Sequence, residues 1–368
     1  MRDTAITAAG FAAGLGITGD VLAGNRYPYE KLTKEDEAEI KKTRSYNPNM
    51  EYRRLGQTGL WISAVCLGGH WKRIDKVVKA TGPINPYIGP ENADDLEPFH
   101  KNRYDVLSRC MEVGINLIDF AGDDEPDVYG KALKGRRDKM YIAYSQAESE
   151  MRNPNNRTAK KLLEVLEAGL KSSGVEYADI WRIMALERGG QHTQAEVEEM
   201  IEALETARKQ GKCRFTGLST HDRKWAKMLI ETYPEVIQVL VTPYTADSKV
   251  LSKDSLFDAV KKYDVGILGI KPFGSNSLFK GDSSPGSPYR EEDDHRARMA
   301  IRYILSNPAV TAPIPGLISI QQVDNMAKAV QERRELDITE KAELEKATRE
   351  MWAQLPEDYR WLREWEYV

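Results

Sequence analysis

Acidic side chains cluster directly after one of the apolar runs of the chain. Asp119 lies in the second half of the run NLIDFA, and Asp123, Asp124 and Glu125 follow shortly after that run. Carboxylate oxygens grouped in this way can ligate Ca²⁺ or Mg²⁺, and a pair of carboxyl groups can act as general acid and general base in a lyase or hydrolase. Because such a run is more often a solvated loop, we predict no metal site here.

The histidines and cysteines offer further candidates for chemistry. None of the five histidines stands at metal-ligand spacing from another, but His70 and His221 each follow an apolar run, where a histidine can act as acid or base. The three cysteines are too far apart in sequence to indicate a disulfide framework or a metal or iron–sulfur site; they are Cys66, Cys110 and Cys213.

The elements that must position these side chains follow a regular order. A hairpin over residues 51–63 precedes eight apolar runs, which alternate with segments whose leucines and valines recur at helical spacing. This order predicts an α/β fold, a (β/α)8 TIM barrel with an N-terminal β-hairpin, whose chemistry lies at the C-terminal ends of the strands. A doubly wound sheet is the alternative, although no GxGxxG follows the first run. The predicted strands are 64–71, 116–121, 140–145, 180–187, 215–221, 236–243, 265–273 and 311–317.

Composition excludes several classes of function. Of 368 residues, 41% are hydrophobic and 30% are charged, as is usual for globular proteins, and 53 basic residues against 57 acidic ones give a formal net charge of −4. This balance lacks the basic surface of a nucleic-acid-binding protein, and no apolar run is long enough to span a membrane. We therefore expect a small-molecule substrate as the main partner.

The N-terminus differs in composition from the rest of the chain. Residues 1–24 are small and mildly apolar, contain Arg2 as their only basic residue, and resemble the apolar and cleavage regions of a twin-arginine-type export signal. We expect residues 1–24 to be an export signal or a disordered tail, residues 25–49 a linker and residues 50–368 the barrel. Export places the protein in the periplasm or outside the cell; the alternative is the cytoplasm.

Several motifs from Glu51 to Val330 resemble, in the same order, those of the aldo-keto reductases. The motifs are YRRLGQTGL at 52–60 with Ile62-Ser63 and Leu67-Gly68, Gly114-Ile115-Asn116, Asp119, GKALKGRRD at 130–138, Tyr177-Ala178-Asp179-Ile180, Gly217-Leu218-Ser219, Gln238, IKPFGS at 270–275 and Ile314-Pro315-Gly316. Within that superfamily the chain is similar to the exported bacterial group.

The resemblance implies hydride transfer between NAD(P)H and a carbonyl, alcohol or sugar substrate, without a metal. In this family a Tyr gives a proton to the carbonyl oxygen, a Lys paired with an Asp lowers the pKa of that Tyr, and a His orients the carbonyl. Asp119 stands at the position of the Asp, but Asp124, Ser145 and Met184 replace the Tyr, the Lys and the His. We therefore predict a remodelled catalytic site that keeps Asp119, with Tyr129 as the candidate for a displaced catalytic tyrosine.

The resemblance implies a dinucleotide site as well. The residues it assigns to the nicotinamide carboxamide are Ser219, Thr220 and Gln238. Those it assigns to the pyrophosphate loop are Lys271, Pro272, Phe273, Gly274 and Ser275, and those toward the adenosine phosphate are Gly316, Ser319, Gln322 and Asn325. Ile318 replaces the basic residue usual in NADP-preferring members, so NAD(H) is at least as strongly predicted as NADP(H). The alternative is that these residues serve only barrel packing.

Two segments lie outside the repeating order. Residues 351–368 are rich in Trp and Tyr and, by the resemblance, border the substrate pocket; the alternatives are packing under the barrel or an interface with a second copy or a protein partner. Residues 283–294 are predicted to be a mobile loop.

Three classes of function stay open at this point. The first is an oxidoreductase with remodelled acid–base residues. The second is a catalytically inactive barrel that binds a nucleotide, a sugar or a protein. The third is a lyase or hydrolase acting through Asp119, Asp124 or a histidine at a strand end.

Overall fold

The computed structural model describes residues 32–248, 250 and 253–363. The predicted export signal or tail, residues 1–24, lies outside these residues, as do residues 25–31 and 364–368. Among the described residues, no helix combines the length and the apolar character needed to cross a bilayer.

The chain forms twelve strands and ten α-helices over the described residues. The strands are β1 (Tyr52–Arg54), β2 (Trp61–Ser63), β3 (Leu67–Gly68), β4 (Ile84–Asn85), β5 (Gly89–Pro90), β6 (Leu117–Phe120), β7 (Tyr141–Tyr144), β8 (Ala178–Met184), β9 (Cys213–Ser219), β10 (Val239–Pro243), β11 (Gly266–Ile270) and β12 (Ala312–Ile314). The helices are α1 (Lys34–Ile40), α2 (Leu96–Val113), α3 (Glu125–Leu133), α4 (Ala159–Ser173), α5 (Gln194–Lys209), α6 (Arg223–Thr232), α7 (Leu256–Tyr263), α8 (Arg290–Leu305), α9 (Ile320–Gln331) and α10 (Ile338–Gln354).

Eight of the strands form one parallel sheet that closes on itself. Their order is β3, β6, β7, β8, β9, β10, β11, β12, which follows the sequence, and a parallel bridge between Gly68 and Gly316 joins the last strand segment to the first. Two backbone hydrogen bonds, Cys66 N to Pro313 O at 3.0 Å and Gly68 N to Pro315 O at 2.8 Å, complete the seam. The predicted (β/α)8 barrel is confirmed, and so is the hairpin, since β1 and β2 pair antiparallel before β3.

The outer helices follow from local sequence signals. In α4, Leu162, Leu166 and Leu170 recur every four residues and form one buried face. The helix begins after Thr158, whose hydroxyl accepts a hydrogen bond from the Lys161 N–H, and ends at Gly174, whose φ of 66° suits glycine. This helix therefore covers the barrel with one face and leaves the other to solvent.

The described part of the predicted linker packs against the amino end of the barrel. Thr33 caps α1, and Ile40 on that helix is buried. Thr43 donates its hydroxyl proton to Trp61 O at 2.6 Å, and Arg44 forms an ion pair with the fully buried Asp179 at 2.9 Å. Residues 32–49 are therefore part of the folded body rather than a free tether.

The chain returns to the carboxyl end of the barrel after α10. A 3₁₀ segment, Glu357–Arg363, lies across this end and places Tyr359 and Trp361 in its wall. The segment 283–294 differs from the predicted loop, because α8 begins at Arg290. The acidic residues Glu291, Glu292 and Asp293 occupy the first turn of α8, where negative charge favours a helix.

Candidate active site

A cavity of about 590 Å³ opens at the carboxyl ends of the barrel strands. Segments that follow β3, β6, β7, β8, β9, β11 and β12 line it, and the 3₁₀ segment near the C-terminus forms another part of its wall. In (β/α)8 barrels this is the end at which chemistry takes place. The sequence-predicted residues that line the cavity are Asp119, Ser219, Lys271, Pro272, Phe273, Ser275, Gly316, Gln322 and Asn325.

Asp119 faces the cavity and forms an ion pair with an arginine that the sequence analysis did not identify. Arg182, on β8, reaches across β7 and places Nε and Nη2 at 2.7 and 2.6 Å from Asp119 Oδ1. Arg182 Nη2 also donates to Phe120 O at 3.2 Å. Burial raises the pKa of Asp119, and the Arg182 guanidinium opposes this effect. The cation beside the carboxylate thus comes from the fourth barrel strand, not from the end of the third.

Arg182 is nearly completely buried yet not fully satisfied. Arg182 lines the cavity, and its buried Nη1 has no hydrogen-bond partner among the described residues. Buried guanidinium N–H groups normally have acceptors. The open donor therefore points to a polar group of a ligand near Asp119.

The position of the expected lysine belongs to a separate hydrogen-bonded cluster. Ser145 is fully buried and donates to Glu150 Oε2 at 3.0 Å. Glu150 also accepts from Met184 N at 2.6 Å and from Trp181 Nε1 at 2.9 Å. Burial raises the pKa of Glu150, whereas these hydrogen bonds oppose that shift. This cluster fixes the ends of β7 and β8, and Ser145 itself does not line the cavity.

The structure does not bring Tyr129 to the cavity. The residue lies on α3, is completely buried, and its ring stacks on Phe120 at a centroid distance of 5.9 Å. Its hydroxyl donates to Gly69 O at 3.1 Å and accepts from Arg103 at 3.2 Å, and burial raises its pKa to about 12. The proposed catalytic placement is corrected, because a hydroxyl engaged in packing between α2 and α3 cannot reach a substrate.

The two histidines at strand ends have different surroundings. His70 is about half exposed and hydrogen-bonds the fully buried Glu125, which also accepts from Ala121 N at 2.6 Å. His221 is buried, and its ring stacks on Trp361 at 4.2 Å with an interplanar angle of 10°. Burial, together with the positive charges of Lys271 and Arg152, lowers the pKa of His221 well below its usual range. His221 is therefore a neutral ring in the cavity wall.

These contacts argue against a lyase or hydrolase in which carboxylates at the strand ends act as free acid and base. Asp119 is paired with Arg182, and Glu125 is paired with His70. Asp124 stands at the N-cap position of α3 without a capping hydrogen bond from its side chain, and it does not line the cavity. Asp123 does line the cavity, and burial raises its pKa.

The loop after β11 has an unusual backbone. Lys271, Ser275 and Asn276 have φ values of 59°, 55° and 70°, and Gly274 has a φ of 51°. Non-glycine residues adopt this left-handed region at a cost, and such strain is typical of ligand-binding loops. Lys271, Ser275 and Asn276 line the cavity, so the loop presents polar groups to its interior.

The residues present fit a dinucleotide. The Ser219 hydroxyl is fully buried, lines the cavity and has no hydrogen-bond partner among the described residues. The Lys271 ammonium group lies 5.4 and 5.5 Å from the ring centroids of Tyr359 and Trp361, and burial lowers its pKa. Beyond β12, Gly316 approaches His70 so closely that a Cβ there would lie 2.9 Å from His70 O. An open hydroxyl, a buried lysine and a tight glycine turn in the lining of one cavity suit a long polar ligand.

Four of the predicted cofactor residues do not themselves line the cavity. Gln238 lies at the amino end of β10, where its Oε1 accepts from Thr216 N at 3.2 Å. Thr220 donates to Leu186 O at 3.2 Å, away from the cavity. Ser319 caps α9, and Gly274 contributes backbone behind Ser275. Neither Gln238 nor Thr220 lines the cavity, and their assignment to the nicotinamide stays a prediction.

Two lysines and two tyrosines form a second polar cluster in the cavity wall. Lys72 Nζ donates to Tyr359 Oη at 2.7 Å and to Ser275 Oγ at 3.0 Å. Lys271 Nζ lies 5.4 Å from the centroid of the Tyr359 ring, and Tyr87 also faces Lys72. Sequence reasoning missed Lys72, and its only signal for Tyr359 was the aromatic composition of the C-terminal segment.

Comparisons with known proteins agree with this architecture. The sequence model of the Aldo/keto reductase family matches residues 97–297. The L-galactose dehydrogenase of Arabidopsis thaliana is 23% identical over 314 residues, covering 78% of this chain and 90% of that protein. The uncharacterised oxidoreductase YrpG of Bacillus subtilis is 23% identical over 337 residues, covering 77% of this chain and 91% of its own.

Solved structures show the same fold. The holo form of an aldo-keto reductase from Bacillus halodurans is 19% identical, with a TM-score of 0.57 over 84% of this chain and 99% of that chain. An aldo/keto reductase from Klebsiella pneumoniae, solved in complex with NADP and acetate, is 18% identical, with a TM-score of 0.56 over 80% of this chain and 93% of its own.

Proposed function

Because the chain belongs to the aldo/keto reductase family of oxidoreductases, we propose that it transfers hydride between NAD(P)(H) and a carbonyl, alcohol or sugar substrate within the cavity at the carboxyl end of the barrel. The observation that carries this proposal is Ser219, a residue of the cavity wall whose buried hydroxyl has no hydrogen-bond partner within the described residues. A buried hydroxyl without a partner loses free energy unless a ligand supplies one.

The chain offers groups along the whole length of a dinucleotide. Ser219 would bond the nicotinamide end, Lys271 and Ser275 the pyrophosphate, and the turn at Gly316 with the start of α9 the adenosine phosphate. Helix N-termini and lysines both favour phosphate groups. When bound, the reduced dinucleotide supplies the hydride.

The substrate side of the cavity is defined by the Asp119–Arg182 pair. The pair places a fixed charge and the open Nη1 donor of Arg182 at the inner wall. Polar oxygens of a substrate would bind this donor, whereas apolar groups would leave it unpaired. This supports a small polar carbonyl or alcohol, such as a sugar, over an apolar one.

The proposal includes use of NAD(H) at least as readily as NADP(H). Ile318 is apolar, lines the cavity and is 3% exposed, so it offers no charge for an additional phosphate. Arg290 also lines the cavity and is the group that would bind such a phosphate if NADPH is the preferred cofactor.

The test is a fluorescence or calorimetric titration of the purified protein with NADH and NADPH, followed by a screen of sugar and carbonyl substrates. We expect micromolar affinity for at least one cofactor and dehydrogenase turnover with a polar substrate. Lys271→Met should weaken cofactor binding by about 10- to 100-fold, because a charge-assisted contact is lost. Lys101→Met, at an exposed ion pair with Asp105 on α2, is the matched control and should leave binding unchanged.

Absence of cofactor binding at millimolar concentration would overturn the proposal. Cofactor binding without turnover on any substrate of the screen would favour the catalytically inactive binding protein. Equal binding by Lys271→Met and the unmodified protein would contradict the assignment of the phosphate loop.

A further inference from the structure

The cluster of Lys72 and Tyr359 can supply the acid that is missing at the family positions occupied here by Asp124, Ser145 and Met184. We propose that Tyr359, from the C-terminal segment, exchanges the proton with the substrate oxygen and that Lys72 positions its hydroxyl. This inference rests on the proposed oxidoreductase function and adds the residue that serves as acid and base.

The chemistry requires such a group. When hydride adds to a carbonyl carbon, negative charge develops on the oxygen, and a nearby acid must donate a proton to it. Asp124 and Ser145 do not line the cavity, and Tyr129 is engaged in packing. His70 is bound to Glu125, and His221 is a neutral ring whose Nδ1 lies 3.9 Å from Glu187. The phenol of Tyr359 lies in the cavity wall and is a donor of suitable strength.

Three distant parts of the chain converge on Tyr359. Lys72 follows the first barrel strand, Ser275 lies in the loop after β11, and Tyr359 lies in the 3₁₀ segment, 287 residues from Lys72. Lys72 Nζ donates to both hydroxyls, at 2.7 Å for Tyr359 and 3.0 Å for Ser275, and lies 4.3 Å from the Tyr359 ring centroid. Since Tyr359 Oη accepts from Lys72, its own proton stays available for another acceptor.

The charges around Tyr359 favour its role as an acid. Burial alone raises the pKa of Tyr359, but the positive charges of Lys271 and Lys72 and the hydrogen bonds from Lys72 and Ser275 lower it below the usual range of a tyrosine. Tyr87, which faces the same lysine from the turn between β4 and β5, has a raised pKa because burial outweighs its contact with Lys72. The two tyrosines thus differ in acidity although they share a lysine.

The surroundings of Tyr359 also set its orientation. Its ring lies parallel to that of Trp361, at 6.3 Å and 27°, and Trp361 stacks in turn on His221 at the end of β9. Lys271 Nζ lies 5.5 Å from the Trp361 ring centroid, so the same cation faces both aromatic rings. Asp358, the neighbouring acid, also lines the cavity. The aromatic row joins the 3₁₀ segment to His221, which follows β9.

The step balances in both directions. In reduction, the carbonyl carbon of the substrate accepts the hydride of the reduced nicotinamide, and its oxygen accepts the phenolic proton of Tyr359. The products are an alcohol, the oxidised nicotinamide and a Tyr359 phenolate, which is stabilised by the Lys72 ammonium group until it regains a proton from water. In oxidation, the phenolate removes the proton of the alcohol as hydride leaves the carbon.

The decisive variant is Tyr359→Phe, assayed in the full chain with the substrate found by the screen. We expect kcat to fall by about 100- to 10,000-fold, the usual contribution of a positioned acid, while the Kd for NADH or NADPH changes by less than about threefold. Tyr104→Phe, at an exposed tyrosine on α2, is the control for loss of a phenol and should keep full activity. Circular dichroism and the cofactor titration together verify that each variant is folded.

Two results would overturn the assignment. A Tyr359→Phe protein that retains kcat within about threefold would exclude Tyr359 as the acid. A large loss in Tyr129→Phe instead would return that role to α3. If the unmodified protein does not bind cofactor, the proposed function itself is contradicted. That outcome is distinct from the two results above, which concern only the identity of the acid.

Lys72 has a separate test, because a positioning residue should change acidity as well as rate. In Lys72→Met the Tyr359 phenol loses a neighbouring cation and its pKa rises, so the alkaline limb of the pH profile for reduction should move to higher pH. Lys72→Arg, which restores the positive charge, should return the limb toward its original position. An unchanged alkaline limb in Lys72→Met would contradict the role of Lys72.

Discussion

Two serines at the carboxyl end of the barrel differ in what surrounds them. Ser145, after β7, and Ser219, at the end of β9, are both fully buried. The Ser145 hydroxyl donates to Glu150, whereas the Ser219 hydroxyl lines the cavity and has no partner among the described residues. We call the ends of β6, β7 and β8 with Glu150 the framework side, and the ends of β9, β11 and β12 with the start of α9 the open side.

The difference between the two sides separates stability from binding. On the framework side the carboxylates of Asp119 and Glu150 are bonded to groups of the chain itself. On the open side the buried Ser219 hydroxyl has no partner within the described chain, and Lys271 Nζ lies against the rings of Tyr359 and Trp361. Since buried polar groups in folded proteins are normally paired, the two carboxylates of the framework side are complete without a ligand, whereas Arg182 Nη1 beside them and the Ser219 hydroxyl on the open side are not. Mutations on the two sides should therefore affect different measurements.

The largest effect on stability is expected for Arg182→Met on the framework side. The substitution leaves Asp119 as a buried carboxylate without its cation, which should lower the free energy of unfolding by about 3–5 kcal/mol. Urea denaturation measures this loss. Asp119→Leu combined with Arg182→Met removes both charges and should recover most of the stability, and Lys101→Met at an exposed pair should change little. No recovery in the double variant would contradict the view of the pair as a mutually dependent unit.

On the open side, the strained loop should respond to Gly274→Ala. Gly274 has a φ of 51°, and a Cβ there would lie 2.7 Å from Met351 Sδ on α10, so either the loop or the helix must shift. We expect a loss of more than about 1–2 kcal/mol, the cost of a left-handed alanine alone, together with weaker NAD(P)H binding. Gly135→Ala is the matched control, because its φ is 77° with no atom within 4 Å of the added Cβ.

The control should show the backbone cost alone, with unchanged cofactor affinity. Denaturation and cofactor titration measure the two properties separately. Equal effects of Gly274→Ala and Gly135→Ala on both measurements would mean that the contact of the loop with α10 does not control binding.

A pH dependence should distinguish the framework side further. The folded-state pKa of Glu150 lies above its ordinary value of 4.5, so the folded chain binds more protons than the unfolded chain as pH rises from 4.5 toward that folded pKa. The free energy of unfolding must then decrease with rising pH, by at most about 1.4 kcal/mol per pH unit for one group. Asp119 contributes in the same direction, since its pKa is also raised.

Glu150→Gln should make this slope shallower in denaturation experiments across pH 4.5 to 7.5. Glu39→Gln, at an exposed residue of α1, is the control and should leave the slope unchanged. A slope as steep in Glu150→Gln as in the unmodified protein would show that Glu150 does not keep a raised pKa.

The sequence was sufficient for the fold because its signals are local. Apolar runs alternate with helical segments in which residues such as Leu162 and Leu166 recur at fixed spacing, and this order corresponds to the observed barrel sheet. Residues 290–294 were predicted to belong to a loop, but they form the start of α8. The acidic run Glu291–Asp293 is compatible with a loop and with the first turn of a helix, so composition could not decide between them.

The site was only partly predictable because its pairs are distant in sequence. Asp119 was identified from the sequence, but Arg182 was not. Arg182 lies inside the run IWRIMALE, and a single charged residue leaves such a run looking like an apolar strand even when its side chain points into the barrel. Lys72 and Tyr359 belong to segments with no regular pattern, and only the closed fold brings them together. Gln238 was assigned by its place in a motif, and no local signal shows that its side chain bonds Thr216.

The smallest effects on stability, and the sharpest comparison, are expected for alanine at the two serines. Ser145→Ala removes the hydrogen bond to Glu150 and should cost about 1 kcal/mol of unfolding free energy while leaving NAD(P)H affinity unchanged. Ser219→Ala breaks no hydrogen bond within the described chain, so its stability should change by less than about 0.5 kcal/mol. Its cofactor Kd should instead rise about fivefold, the equivalent of one lost hydrogen bond. Denaturation gives the stability of each variant, and cofactor titration gives its affinity. A Ser219→Ala protein that loses stability but keeps its cofactor affinity would remove the distinction between the two sides.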